Sequence, residues 1–145
     1  MKTFFITVFI YFLMFQPSFA QDKNREVYHI PGHENVENMI GFNQAIKVAN
    51  TLYISGTVDG LHEDMESQIT TIYKYVEETL KNFDATSANI VKENVFTTNL
   101  EEFKKHIALR KKFYNENQFP TSTWVEVKSL FIPKLKVEIE FVAVI

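Results

Sequence analysis

The last eleven residues, 135–145, show a two-residue periodicity that constrains the fold more than any other part of the chain. One face of this segment is apolar, formed by Val137, Ile139, Phe141, Ala143 and Ile145. The opposite face begins with Lys136, Glu138 and Glu140. Alternation of this kind predicts a β-strand with one buried face. Such a strand needs a second layer of structure to cover its apolar side.

Two segments with helical periodicity can supply that layer. The first begins after Asp64, a suitable N-cap, and its apolar stripe comprises Met65, Ile69, Ile72, Val76 and Leu80. The second begins at Asn99, followed three residues later by Glu102, which is a capping-box pattern. Its stripe comprises Phe103, Ile107, Arg110 and Tyr114, and the helix is predicted to end before Phe119-Pro120.

Further β-prone segments complete the pattern. They are an edge strand at 27–30, a hairpin formed by 42–48 and 51–56, and strands at 90–98 and 122–130. Asn50 lies at the hairpin turn, where its tolerance of positive φ is useful. The order of elements predicts a single α+β domain with two amphipathic helices covering one face of a sheet.

The first twenty residues have the features of a secretory signal peptide. Lys2 precedes an apolar run from Phe4 to Phe15, and the small residues Ser18 and Ala20 follow a proline. Six of the 14 phenylalanines lie in this segment. Cleavage is expected after Ala20, giving an exported protein, periplasmic or secreted, with no stable membrane anchor. An uncleaved anchor is the alternative, although the apolar run is shorter than the roughly 20 residues that span a bilayer.

Composition excludes several classes of site. With no cysteine, the chain cannot form a disulfide scaffold, a thiolate zinc module or a cysteine-nucleophile enzyme. It has neither a Gly-x-Ser-x-Gly elbow nor a glycine-rich phosphate loop. His29 and His33 are separated by a predicted turn, so no metal site is expected. The formal net charge, −3, becomes −4 once Lys2 is removed, which disfavours nucleic acid as a partner.

One group of residues is a candidate site. Glu138 and Glu140 share a strand face, and alternation places Ser122, Trp124 and Glu126 together on a neighbouring strand. From the residues alone, a charged face in contact with solvent is the favoured interpretation.

The chain also resembles the reactive-intermediate deaminase (Rid) family. The resemblance is carried by the hairpin 44–56, Gln68, the strand 90–96, the helix start 99–103, Phe119-Pro120 and the segment 136–140. It covers nearly all of residues 39–144. We therefore divide the chain into a signal peptide (1–20), an N-terminal extension (21–38) and a Rid-like domain (39–145).

The resemblance implies a chorismate-mutase-like α+β fold, with one mixed sheet covered by two helices. It also implies a homotrimer with small-molecule clefts between subunits, in which enamines and imines are hydrolysed without a cofactor or metal. Glu138 matches the family's glutamate that positions water, and Ser55 and Gly56 match its ligand-binding hairpin residues.

The chain departs from the family's pattern at the predicted site. Ser122 occupies the position of an arginine that clamps the substrate carboxylate, and Trp124, next to Thr123, occupies that of a cysteine. Phe42 stands where many members have tyrosine. The predicted site therefore comprises catalytic Glu138 and the ligand-binding residues Phe42, Ser55, Gly56, Ser122, Thr123 and Trp124. Loss of the arginine favours a neutral or apolar ligand, because a hydroxyl cannot replace a bidentate guanidinium.

Two functions stay open at this point. The first is an exported Rid-like protein that binds a small molecule between subunits and hydrolyses an imine or enamine other than the standard 2-imino acids. The alternative is a non-catalytic small-molecule-binding or scaffold protein of the cell envelope. A ribonuclease or translation-inhibitor role ranks lowest because of the acidic charge and the predicted export.

Overall fold

The computed structural model describes residues 25–115 and 118–145. The described strands are β1 (Arg25–Tyr28), β2 (Ala45–Val48), β3 (Thr51–Thr57), β4 (Ile90–Thr97), β5 (Thr121–Glu126) and β6 (Val137–Val144). The helices are α1 (Glu34–Ile40), α2 (Met65–Asn82), α3 (Leu100–Lys104) and α4 (Ile107–Phe113), with a short 3₁₀ helix at Ser87–Asn89.

All six of these strands belong to one sheet, in the order β1-β2-β3-β6-β4-β5. The pair β4–β5 is parallel, and every other neighbouring pair is antiparallel. The prediction of an α+β domain with one mixed sheet is therefore confirmed. β6, the strand predicted from the two-residue periodicity, lies in the interior of the sheet between β3 and β4.

The helices cover one face of the sheet and leave the other face open. Every residue of the predicted α2 stripe is buried, as are Val137, Ile139, Phe141 and Ala143 on the facing side of β6. Both predicted N-caps form, since Asp64 accepts a hydrogen bond from Ser67 N and Asn99 accepts one from Glu102 N. The core thus lies between α2 and the central strands.

The second predicted helix is two helices, so that prediction was wrong in its continuity. Between α3 and α4, the amides of Lys105 and His106 donate to the carbonyls of Glu102 and Phe103, three residues earlier. Hydrogen bonds with this spacing tighten the turn and redirect the chain. As a result Phe103 packs against β5, while Arg110 is directed towards β4.

Helix α1 has no counterpart in the sequence prediction. It runs from Glu34 to Ile40 and ends at Gly41, whose φ of 91° is left-handed. Its buried residue is Glu37, a carboxylate, whereas Val36, Met39 and Ile40 are exposed. An apolar stripe cannot reveal a helix whose buried residue is charged.

Three strands are each three residues shorter than predicted. The hairpin begins its pairing at Ala45 rather than at 42, β5 ends at Glu126 rather than at 130, and β6 spans Val137–Val144 rather than 135–145. β5 pairs only with β4, and that partner ends at Thr97, opposite Glu126. Without a neighbouring strand, the segment after Glu126 has no ladder to join.

No helix within residues 25–115 and 118–145 is long and apolar enough to cross a membrane. The predicted signal peptide, 1–20, lies outside the described residues.

Candidate functional site

The candidate site is built around Glu138, on the open face of β6. The apolar residues of β6 point to the helices, and strand geometry directs Glu138 and Glu140 the other way. Glu138 is half-buried, and its pKa is raised, first by burial and then by repulsion from Glu140. Among the described residues no hydrogen-bond donor contacts its carboxylate, whereas Glu140 accepts a hydrogen bond of 2.6 Å from Asn94 Nδ2. A raised pKa in a concave site is a signature of functional carboxylates.

Gly56 provides the space that Glu138 occupies. β3 has one residue more than β6 between the pairs Ile54–Phe141 and Thr57–Ile139, so a β-bulge at Ser55 and Gly56 lies opposite Glu140. A Cβ atom at Gly56 would lie 2.8 Å from Glu138 Cδ and would overlap Oε1. Glu138 can therefore keep this position only because residue 56 has no side chain.

Hydrogen bonds from the preceding loop hold the bulge in place. Ser55 Oγ donates to the Asn43 carbonyl at 2.7 Å, and Ser55 N donates to the Gln44 carbonyl at 2.9 Å. The Gln44 side chain donates to Thr57 Oγ1 at 2.9 Å. These contacts fix the hairpin residues against which a ligand near Glu138 would lie.

A cleft of about 600 Å³ opens beside Glu138. Phe42, Ser55, Gly56 and Glu138 all line it, so the structure brings together four of the seven predicted site residues. The wall opposite the hairpin comes from α1 and from the segment before β6, which contribute Val36, Ile40, Phe131, Ile132 and Leu135. A mostly apolar cleft with a few polar groups is the usual form of a small-molecule site.

Glu37 of α1 also lines this cleft and was missed by the sequence analysis. Its Oε2 accepts hydrogen bonds from His29 Nδ1 at 2.5 Å and from Gln44 N at 2.9 Å. Its Oε1 is buried without a partner among the described residues. The available signal was Gly41, which marks a helix end, but the interior position of a glutamate depends on tertiary contacts.

Ser122, Thr123 and Trp124 do not line the Glu138 cleft in the same chain. They lie on β5, which is separated from β3 by β6 and β4. Thr123 pairs with Asn94, on the open face. Ser122 pairs with Glu93, and it faces the helices together with Trp124. The predicted grouping of Ser122 and Trp124 with Glu138 on one face therefore does not occur within a chain.

Ser122, which is exposed, and Trp124, which is partly buried, belong instead to a cluster around the buried carboxylate of Glu93. Glu93 accepts hydrogen bonds from Arg110 Nε at 2.7 Å, Tyr114 Oη at 2.6 Å and Ser122 Oγ at 2.6 Å. Trp124 Nε1 donates to Ser122 Oγ at 2.6 Å. Burial and the charge of Glu93 raise the pKa of Tyr114 far above its ordinary value, so its hydroxyl remains a donor. We call this set the Glu93 cluster.

The fold and the cleft together define a class of protein. A mixed six-stranded sheet covered on one face by helices, with a glutamate cleft beside a glycine bulge, defines a chorismate-mutase-like α+β domain that carries a cleft. Comparison with known proteins gives the family within this class.

The family model "Endoribonuclease L-PSP" matches residues 33–145. A RutC family protein of Buchnera aphidicola is 33% identical over 120 residues, covering 76% of this chain and 92% of the relative. The chain belongs to this family, which is also called YjgF or Rid.

Solved structures show the same fold. A YjgF/YER057c/UK114 family member from Mycobacterium tuberculosis superposes with a TM-score of 0.75 at 23% identity, covering 83% of this chain and 99% of the other. RidA from an Antarctic Psychrobacter superposes with a TM-score of 0.67 at 27% identity, covering 72% of this chain and 88% of the other. Membership of the family supports a deaminase-like or small-molecule-binding role.

Proposed function

We propose that this protein hydrolyses imines in the Glu138 cleft without a cofactor. The observation that carries the proposal is the Glu138 carboxylate itself. It is half-buried and has no hydrogen-bond donor among the described residues. It lies beside a mostly apolar cleft, in space that is free because Gly56 has no side chain. A carboxylate left without a donor at such a place is available to a water molecule or a ligand.

The chemistry follows from the properties of a protonated imine. Its carbon is electrophilic, and Glu138 accepts a proton from the water that attacks it, which gives a carbinolamine. Glu138 then returns the proton to the nitrogen, which leaves as ammonia or an amine. As the carbonyl product forms, Glu138 takes up the proton of the carbinolamine hydroxyl, and the released ammonia or amine carries this proton away as an ammonium ion. A raised pKa brings the carboxyl closer to neutral pH, where it can both accept and donate a proton.

The remaining cleft residues would position the ligand. Ser55 and Gly56 present the backbone of the bulge beside Glu138, and Phe42 adds an apolar surface. Ser122, Thr123 and Trp124 could reach a cleft of this kind from a neighbouring copy, because β5 forms an edge of the sheet.

Assembly and export belong to the same proposal. Proteins of this family are typically homotrimers, and the open sheet face fits such an assembly because Tyr53, Val125 and Val144 are 53%, 42% and 42% exposed on it. Residues 1–20 would direct export and be removed, so the working protein would start near residue 21 and extend through residues 21–38 into the domain.

A ribonuclease role has less support than imine hydrolysis. The described residues lining the cleft include Glu37 and Glu138 but no lysine or arginine, and RNA binding requires cationic groups for its phosphates. Tight binding in an RNA titration at moderate salt would contradict this ranking.

The test is the rate at which an imine is lost when the protein is added. An amine oxidase or amino acid oxidase generates the imine in solution, and semicarbazide traps whatever is not hydrolysed. We expect the protein to suppress trapping and Glu138→Gln to reduce this activity by about 10²- to 10⁴-fold, the usual contribution of a general base.

Glu140→Gln is the matched control, because it removes the same charge from the same strand face and leaves Glu138 in place. Equal activity in the wild type and in Glu138→Gln would contradict the catalytic proposal. No detectable hydrolysis, together with ligand binding in the cleft, would favour the non-catalytic binding or scaffold protein.

A further inference from the structure

The charges around the cleft indicate which ligands it accepts. Among the described residues that line it are the carboxylates Glu37 and Glu138 and the imidazole of His33, but no lysine or arginine. A cleft with acidic groups and no permanent cation repels anionic ligands.

The protonation state of His29 does not make the charge of the cleft positive. If His29 is neutral, its hydrogen bond leaves Glu37 with its full negative charge, and if it is protonated the pair is neutral. Among the described lining residues His33 is the only basic group, and the two carboxylates Glu37 and Glu138 outnumber it.

The Glu93 cluster does not supply a cation to a neighbouring cleft either. Arg110 and Ser122 both bind Glu93 Oε1, and Arg110 Nε lies 2.7 Å from that oxygen. Glu93 is fully buried, and Arg110 is 9% exposed. The two charges balance each other, so the β5 edge of a second copy would bring Ser122 and Trp124 together with a pair that is neutral overall.

We propose that the substrates of this cleft are protonated imines with apolar substituents and no carboxylate. Such an iminium ion places its positive N–H group against Glu138 and its apolar part against Phe42, Phe131 and Leu135. This inference rests on the proposed function, since it names the substrate class of the same site. It separates this chain from enzymes that grip the carboxylate of a 2-imino acid.

Three probes of one shape and different charge test the inference. Benzamidinium is a cation that resembles an iminium, benzamide is neutral, and benzoate is an anion. Each probe is titrated at pH 8 into the mature protein, which starts near residue 21, and NMR shifts monitored during the titration give the three affinities. We expect benzamidinium to bind about tenfold more tightly than benzamide, and benzoate to bind most weakly.

Two variants identify the group responsible. Glu138→Gln should abolish the advantage of benzamidinium over benzamide and leave the affinity for benzamide unchanged. In the wild type the Glu140 carboxylate accepts a hydrogen bond from Asn94. Glu140→Gln should therefore preserve the tighter binding of benzamidinium over benzamide. Benzoate binding as tightly as benzamidinium in the wild type would overturn the inference, as would an unchanged preference in Glu138→Gln.

A matched pair of substrates separates this inference from the proposed hydrolysis. Benzylamine and phenylglycine give imines that differ only in a carboxylate. Selective loss of the benzylamine-derived imine supports both proposals. Equal or faster loss of the phenylglycine-derived imine supports hydrolysis and overturns the substrate class. The predicted probe preference without turnover of either imine supports the charge selectivity and overturns hydrolysis.

Discussion

At the scale of single residues, the account depends on Glu138 being kept partly out of water without a hydrogen-bond donor among the described residues. Burial favours the protonated form of a carboxyl group, and the neighbouring charge of Glu140 acts in the same direction. A group held in this way weakens the folded state at neutral pH. A loss of folding stability of this kind is common at functional sites, because a residue placed for activity is often not the most stable choice for the fold.

The first prediction concerns the stability of Glu138→Gln. Because the pKa of Glu138 is higher in the folded than in the unfolded protein, the wild type loses stability as pH rises from the ordinary glutamate range through the raised value. Glu138→Gln should therefore be more stable at neutral pH, by at most about 1 kcal/mol given solvent screening. Urea unfolding should show the difference disappearing at low pH, and a less stable variant at pH 7 would contradict it.

The second prediction concerns the pH dependence of imine loss. The acid limb of the profile should reflect ionisation of Glu138, at a pH above the ordinary glutamate range. Glu140→Gln removes one of the two causes of the raised pKa, so this limb should move to lower pH. An acid limb that stays at the same pH in Glu140→Gln, measured over the same buffers, would show that Glu140 does not act on Glu138.

The third prediction concerns Gly56. A methyl group at this position overlaps Glu138 Oε1, and the carboxylate is the more mobile of the two. Gly56→Ala should displace Glu138 and reduce imine hydrolysis at least tenfold, while the free energy of unfolding changes little because the end of a flexible side chain moves aside. Gly60→Ala is the control, because a Cβ there meets nothing within 4 Å. Equal activity in both variants would contradict the role given to the bulge.

At the scale of secondary-structure elements, the Glu93 cluster connects α4 to β4 and β5. The carboxylate is fully buried and accepts hydrogen bonds from a guanidinium and two hydroxyls. Removing one partner from a buried ion pair leaves an uncompensated charge, which costs more than the pair itself contributes.

The fourth prediction follows from this cluster. Arg110→Met should destabilise the protein by about 3–5 kcal/mol, because it removes the guanidinium that pairs with the buried carboxylate of Glu93. Ser122→Ala should cost only about 1 kcal/mol, since two donors to Glu93 remain. Urea unfolding measures both, and equal costs would indicate that the Arg110–Glu93 pair is not what holds β5 and α4 together.

Elements with a simple apolar period could be predicted from the sequence, and those set by tertiary contacts could not. The α2 stripe, both N-caps and the buried face of β6 follow from the spacing of residues. The break between α3 and α4 could not be predicted from spacing, because the stripe of the second predicted helix continues through it. The break is accounted for by Phe103 packing on Trp124 while Arg110 reaches Glu93.

The candidate site divides in the same way. Glu138, Gly56, Ser55 and Phe42 could be identified from the family resemblance, and they line one cleft. Glu37 could not be, because a buried glutamate on a short helix gives no periodic signal. Alternation placed Ser122 and Trp124 on one strand face correctly, but it could not show that this face is turned to the helices rather than to Glu138.

At the scale of the whole molecule, the open sheet face is the surface proposed for assembly. It carries Tyr53, Val125 and Val144, which are large apolar residues exposed to solvent in the single chain. The helices cover the other face of the sheet. Association of copies through the open face would therefore bury these exposed apolar residues.

The fifth prediction is that a charge on the open face dissociates the assembly. Tyr53→Lys should convert a trimer into monomers, since three ammonium groups would be buried without partners. Lys74→Glu, on the exposed side of α2, should leave the trimer intact. Light scattering after gel filtration gives the masses, and a trimer that persists in Tyr53→Lys would place the interface elsewhere.

The most direct test of the central claim is a crystal structure of the protein with benzamidine. The account predicts that the amidinium lies in the Glu138 cleft, with a nitrogen about 3 Å from the Glu138 carboxylate and the ring against Phe42. Benzamidine bound away from Glu138, or a Glu138 carboxylate turned out of the cleft and paired with a basic residue of a neighbouring copy, would contradict it.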